Sequence, residues 1–206
     1  MFAAPLSAQP APEEKRSAPW HALPEAGQRP QANAHGGPAL PNTPAEREKM
    51  LSDLYALLAT ADGEDSAKAV AEAIERVWQH SGSATIDLLM DRAMHAVADN
   101  KLDKALKLLD HVVALAPDFT EGWNRRAYVY YVRNDIDHAL GDLRRTLALD
   151  PNHFKALEGL GQILSEIGEK KAALKAFRKL MSVHPYWSGA KQSIEELERD
   201  VDGQGI

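Results

Sequence analysis

The sequence predicts an all-α repeat protein, and a recurring spacing of prolines and apolar residues supports that fold class. Pro117, Pro151 and Pro185 follow one another at a constant interval of 34 residues. An alanine precedes each proline by twelve residues and a large apolar residue precedes it by two: Ala105, Ala139 and Ala173, and Leu115, Leu149 and Val183. A repeat of this length is typical of a helix-turn-helix unit that buries its apolar face only against its neighbours.

Composition limits the classes of protein that this chain can belong to. Its 206 residues are 44% hydrophobic, which is enough for a globular core. The formal net charge of -6 argues against a nucleic-acid partner, since binding a polyanion needs a clustered basic surface. The chain has no cysteine, so disulfides, thiolate metal sites and cysteine nucleophiles are all excluded.

The N-terminal segment, residues 1–42, is predicted to be a flexible arm. Its first nine residues resemble the end of a bacterial secretory signal, with small residues around Ala8, and this favours export to the periplasm. A charged start and a full apolar core are missing from that signal, so a cytoplasmic location is the alternative. Most of the prolines of the chain follow, together with alanine, glutamine and glycine, which is typical of an extended tether.

A pair of helices is predicted over residues 43–82. Thr43, Pro44 and Glu46 have the spacing of a capping box with proline at the first helical position, and this helix ends near residue 60. A second helix follows over 65–80, with its apolar residues on one face. Polar residues occupy slots that are apolar in the later units, so we interpret the pair as an N-terminal cap or a diverged fourth repeat.

Three clear repeats follow over residues 86–185. Their predicted helices are 85–98 and 102–116, 119–133 and 136–150, and 153–167 and 170–184. Asn100, Asn134 and Gly168 lie between paired helices, where we expect a left-handed backbone that glycine and asparagine adopt most easily. The segment 186–206 is predicted to hold a capping helix over about 188–201, charged on most faces.

The residues in these slots resemble the tetratricopeptide repeat (TPR) family. The matching landmarks are Trp123, Ala127, Tyr130, Ala139, Leu143, Leu149 and Pro151. The resemblance covers roughly residues 86–185 and implies a right-handed α-solenoid of antiparallel helix pairs. It departs from the family pattern at Arg92 and Arg126, which stand where a large apolar residue is usual. We expect these guanidinium groups to reach water or an acidic partner.

No catalytic motif is recognisable in the chain. It has no glycine-rich phosphate loop, no paired histidines at metal-ligand spacing and no nucleophile elbow. Its eight histidines are dispersed, and no two of them lie three or four residues apart. The sequence therefore predicts a protein that is not an enzyme and that holds neither a metal ion nor another cofactor.

The family resemblance implies a concave groove formed by the first helix of each repeat. The residues it places there are Met90, Met94, Asn124, Tyr128, Tyr131, Glu158, Gln162 and Ser165. Methionine and tyrosine are residue types that favour protein recognition. The alternative is that Met94 and Tyr128 only pack between repeats.

One subgroup of the family clamps C-terminal carboxylates of chaperones with several basic groups in this groove. This chain offers only Asn124, Arg125 and Lys155 as loose equivalents, and Glu158 would repel a carboxylate. The resemblance therefore implies a noncatalytic adaptor that binds some other peptide or protein segment. The alternatives are a structural subunit of a cell-envelope assembly and a regulatory module that binds a small ligand. No stretch of about 18 apolar residues predicts a membrane span.

Overall fold

A computed structural model of the protein describes residues 40–41 and 43–203, and every regular element in that part of the chain is an α-helix. The helices are α1 (Pro44–Ala59), α2 (Glu64–Gln79), α3 (Ala84–Ala98), α4 (Leu102–Leu115), α5 (Thr120–Val132), α6 (Ile136–Leu149), α7 (Phe154–Glu166), α8 (Lys170–Val183) and α9 (Ala190–Gly203). Each one begins and ends within two residues of the bounds that the sequence predicts. The signal-like start and nearly all of the predicted arm lie outside the described residues.

The three repeats share one turn between their paired helices. Asn100, Asn134 and Gly168 have φ values of 56°, 61° and 85°, which confirms the predicted left-handed conformation. The next residue in each turn donates its backbone N–H to a carbonyl five residues earlier, as Asp135 does to Tyr130 at 2.9 Å. This bond closes the end of the first helix and reverses the chain into the second.

The pairs α3–α4, α5–α6 and α7–α8 stack in chain order as a solenoid, with α9 packed on α8. Small residues let the helices approach one another, because Ala93, Ala127 and Ala139 are fully buried. At Gly161 a Cβ atom would lie 2.8 Å from the ring of Phe177, closer than nonbonded carbon atoms approach. Small residues at these positions thus leave room for large neighbouring side chains such as Phe177.

This packing makes the small slots sensitive to volume. We expect Ala139→Leu to lower the free energy of unfolding by about 1–3 kcal/mol through overpacking. Arg144→Ala, on the exposed side of the same helix, should cost roughly half a kcal/mol or less. Chemical denaturation of the two variants checks the difference, and equal midpoints would mean that the repeat register has been wrongly assigned.

Arg126 lies between two carboxylates, as predicted for a guanidinium in an apolar slot. Its Nε is 2.7 Å from Asp142 and its Nη1 is 2.9 Å from Asp110, while its Cζ lies 4.9 Å from the centroid of the Trp123 ring. The hydrogen bond to Asp142 raises the pKa of Arg126 above its usual range. Arg92, in the same slot of the preceding repeat, is exposed to water.

The N-terminal pair α1–α2, which we call the hairpin, does not stack on α3 as a preceding repeat would. Its capping box is confirmed, with Thr43 N–H donating to Glu46 at 3.1 Å and Glu46 N–H donating to Thr43 Oγ1 at 3.2 Å. However, α1 contacts α8 and α2 contacts α5, whereas α2 and α3 scarcely touch. Of the two interpretations of this pair, a cap or a fourth repeat, the stacked fourth repeat does not apply, because the hairpin folds back over the second and third repeats.

Asp150, in the turn between α6 and α7, anchors the hairpin. Its Oδ2 accepts hydrogen bonds from the hydroxyl of Tyr55 at 2.6 Å and from Trp78 Nε1 at 3.2 Å. The indole of Trp78 also stacks on the imidazole of His153, with ring centroids 3.7 Å apart and planes 9° from parallel. These contacts hold the hairpin against the N-terminal end of α7.

Candidate functional site

Helices α5 and α7 lie side by side and parallel, joined by one hydrogen bond at each end. His153 Nε2 is 3.2 Å from Glu121 Oε2 at their N-terminal ends, and the Tyr131 hydroxyl donates to Glu166 at 2.5 Å near their C-terminal ends. Asn124 and Glu158, one repeat apart, therefore occupy equivalent positions on these two helices. We call this surface, with Asn124, Tyr128, Glu158, Gln162 and Ser165, the α5–α7 face.

Most of the residues predicted to line a groove are buried. Met90, Tyr128 and Tyr131 belong to the apolar core of the first two repeats, and Met94 packs against that core. Tyr131 is only 2% exposed, so its ring does not line an open groove as the family resemblance implied. Gln162 and Ser165 are half-buried, whereas Asn124 and Glu158 are buried polar groups.

A buried polar network occupies the N-terminal end of the α5–α7 face. Glu121 accepts hydrogen bonds from Arg125 Nε at 2.5 Å and from Asn124 Nδ2 at 3.0 Å. His153 Nδ1 accepts the backbone N–H of Ala156 at 3.2 Å, so the imidazole proton is on Nε2 and points at Glu121. Burial raises the pKa of Glu121, but Arg125 and His153 outweigh it and lower that pKa to about 2.

The two cations near this face are both neutralised within the protein. Arg125 is paired with Glu121, and Lys155 Nζ lies 2.7 Å from Glu75 Oε2 of the hairpin. Both basic side chains are buried. Neither is therefore available to clamp a carboxylate, in agreement with the poor match to that subgroup.

Three acceptor atoms on the α5–α7 face have no hydrogen-bond partner among the described residues. They are Asn124 Oδ1, Glu158 Oε2 and Gln162 Oε1, and all three are shielded from solvent. Glu158 Oε1 accepts a hydrogen bond from Trp187 Nε1 at 2.9 Å. Burial raises the pKa of Glu158 to about 7, although Trp187 and Lys155 oppose that rise. These oxygens can accept hydrogen bonds from donor groups of a ligand.

Several residues of this site were not recognised from the sequence. Glu121 was missed although Arg125 lies four residues later on the same helix, a spacing that signals an ion pair. A second signal was also present, because Glu121 and Lys155 occupy the same position in successive repeats and carry opposite charges. No local signal marks His153, Asp150 or Trp187, because their partners are distant in sequence.

In the part of the chain that the structure describes, three or more histidine and carboxylate side chains nowhere converge as the ligands of a metal ion would. Among the helices of that part, none combines the length and the apolar character that a bilayer crossing requires.

The chain is similar to proteins built from tetratricopeptide repeats. A family model for the tetratricopeptide repeat matches residues 90–152 and 124–182. A TPR repeat-containing protein of Rhizobium etli is 33% identical over 162 residues, which span 79% of each chain.

Two solved structures share the fold. The Sgt2 TPR domain from Aspergillus fumigatus superposes with a TM-score of 0.55 at 22% identity, over 60% of this chain and 83% of that one. The first TPR domain of Spaghetti (RPAP3), bound to an HSP90 peptide, gives a TM-score of 0.55 at 17% identity, over 58% of this chain and 98% of that one. At these identities the likeness concerns the fold alone.

Proposed function

We propose, because the chain belongs to the tetratricopeptide repeat family, that it is a noncatalytic adaptor that binds a peptide or protein segment along the α5–α7 face. The observation that carries this proposal is the set of three unpartnered buried acceptors on this face, at Asn124, Glu158 and Gln162. Leaving buried acceptors unsatisfied costs stability, and a bound segment with hydrogen-bond donors would remove that cost. Repeat solenoids commonly bind partners on such an extended face.

The hairpin restricts where the segment binds. Trp78 and Glu75 cover the N-terminal ends of α5 and α7 through His153 and Lys155. Gln162 and Ser165, farther along α7, are half-buried and therefore partly open to solvent. We expect a segment to approach the acceptors from this half of α7. The solved TPR structure with a bound HSP90 peptide supports a fold of this kind as a peptide receptor.

Selection from a peptide library displayed on phage, with the full chain as bait, tests this function. We expect peptides that bind in a saturable way, and we expect Gln162→Arg to weaken them by about tenfold or more by filling the face. Gln192→Arg is the matched control, because Gln192 is exposed on α9, away from the face. Thermal melting verifies that both variants fold. Peptides that bind the two variants equally well would place the binding surface elsewhere, and failure to recover any peptide would count against a peptide-binding role.

We also propose that the protein acts in the periplasm, on the basis of the signal-like residues around Ala8. Fusing the native gene, with its upstream reading frame, to a reporter that is active only in the periplasm tests this location. Reporter activity is the expected result. An inactive fusion would assign the protein to the cytoplasm.

A further inference from the structure

The α5–α7 face carries a set of acceptors whose orientation is fixed by the surrounding protein. Asn124 Nδ2 donates to the carboxylate of Glu121 at 3.0 Å, so a flip of this amide would set its oxygen against a carboxylate. Its Oδ1 must therefore point away from Glu121. Glu158 is held in the same way, since Trp187 occupies Oε1 and leaves Oε2 without a donor.

Charge is also unbalanced at this place. The surrounding ionisable groups are Glu121 and Arg125 on α5, His153 and Lys155 at the start of α7, Glu75 on the hairpin and His184 after α8. Glu121 pairs with Arg125, and Glu75 pairs with Lys155. His153 is hydrogen-bonded to Glu121. Burial lowers the pKa of His184, which favours its neutral form. Glu158 is thus a buried carboxyl group whose hydrogen-bond donor is the neutral indole of Trp187.

We propose that Asn124, Glu158 and Gln162 form a receptor for a lysine side chain of the bound segment, an inference that rests on the proposed function of this face. An ammonium group has three donors and one positive charge. It would satisfy the three unpartnered oxygens and neutralise Glu158 at the same time. A carboxylate ligand has neither property, and a neutral hydroxyl group offers one donor.

We expect access to this receptor along α7. Gln162 is half-buried one helical turn beyond Glu158, and Ser165 follows it on the same side. The long methylene stem of a lysine suits this path, because it places the charge in a buried site while the partner's backbone stays outside. Arginine carries the same charge on a wider planar group, so the experiment includes both chemistries.

The probe is n-butylammonium, which has the charged head and stem of lysine, with n-butylguanidinium and n-butanol as comparisons. Each is titrated into the full chain, and the indole N–H signal of Trp187 is followed by nuclear magnetic resonance. We expect a saturable shift with n-butylammonium and none with n-butanol. Glu158→Gln keeps an acceptor for Trp187 and should weaken binding by about tenfold or more. Glu195→Gln, which removes the same charge from an exposed site on α9, should leave it unchanged.

The pH dependence separates a binding role of Glu158 from a structural one. Its pKa of about 7 means that the ionised fraction rises between pH 6 and pH 8, while the ammonium stays charged. Affinity should therefore rise roughly tenfold over that interval in the unmodified protein and stay flat in Glu158→Gln. A flat profile in both proteins, or equal binding to both, would overturn the proposal. Tighter binding of n-butylguanidinium than of n-butylammonium would overturn the choice of lysine and identify arginine as the ligand side chain.

The two proposals fail in different ways. Peptides selected on the α5–α7 face that keep their affinity when every lysine is changed to norleucine would refute the lysine receptor and leave the adaptor function standing. Saturable n-butylammonium binding without any selected peptide would support the receptor and refute the peptide-binding function.

Discussion

Replacing Phe154 with alanine is expected to lower the free energy of unfolding by about 3–5 kcal/mol, the range for truncating a buried aromatic side chain. Phe154 is 0% exposed at the start of α7. Its ring centroid lies 4.6 Å from that of Trp78 in the hairpin and 5.5 Å and 5.1 Å from those of His184 and Trp187, between α8 and α9. The cavity would thus open where the hairpin, the last repeat and the C-terminal cap meet.

Denaturant unfolding followed by far-ultraviolet circular dichroism measures this loss. Tyr186→Ala is the matched control, since it removes an aromatic side chain that is 39% exposed in the neighbouring turn. We expect that control to cost well under half as much. Hydrogen exchange should also show that Phe154→Ala reduces protection in α1 and α2 more than in α3 and α4. Equal protection in the two pairs would contradict the role of Phe154 in holding the hairpin.

The solenoid was predictable from the sequence because each repeat contacts its neighbours in a fixed register. The 34-residue interval gave the bounds of α3 to α8, and the asparagine and glycine positions gave the turns between them. The position of the hairpin was not predictable in this way. Its anchoring bonds join residues far apart in the chain, with Tyr55 and Trp78 lying 95 and 72 residues before Asp150.

The sequence predicted which residues line the candidate site, but it did not predict which of their polar atoms lack a partner. The repeat register placed Asn124, Glu158 and Gln162 on adjacent helices, and the sequence named all three. It also named Tyr131, whose ring is buried in the apolar core formed by neighbouring repeats. Which acceptors stay unpartnered depends on Arg125 and Lys155 being paired elsewhere. Lys155 pairs with Glu75 of the hairpin, and the position of the hairpin was not predictable from the sequence.

Glu121→Gln is expected to lower the free energy of unfolding by about 3–5 kcal/mol, because it removes one partner of a buried ion pair. Glu121 is 2% exposed, and the side chain of its partner Arg125 is 5% exposed. Glutamine keeps the shape of the side chain but leaves the guanidinium as an uncompensated buried charge. His153 and Asn124 would also lose a charged acceptor.

A double variant separates the lost charge balance from lost packing. Adding Arg125→Met to Glu121→Gln removes both charges and should recover most of the lost stability, since a buried pair replaced by apolar groups is often neutral. Asp53→Asn is the matched control, because Lys49 and Asp53 form an i,i+4 pair of the same kind that is 78% and 65% exposed. Its denaturation midpoint should stay within experimental error of the unmodified protein.

Acidification provides a second measure of the same network. The pKa of Glu121 is about 2 in the folded protein, below the ordinary value of 4.5 that applies to the unfolded chain. The unfolded chain therefore takes up a proton first as the pH falls. The stabilising contribution of Glu121 is fully present above about pH 4.5 and is lost progressively toward pH 2. Because Glu121→Gln cannot titrate, its stability should fall less steeply over that interval. Equal slopes for the two proteins would show that the Glu121 network does not govern acid unfolding.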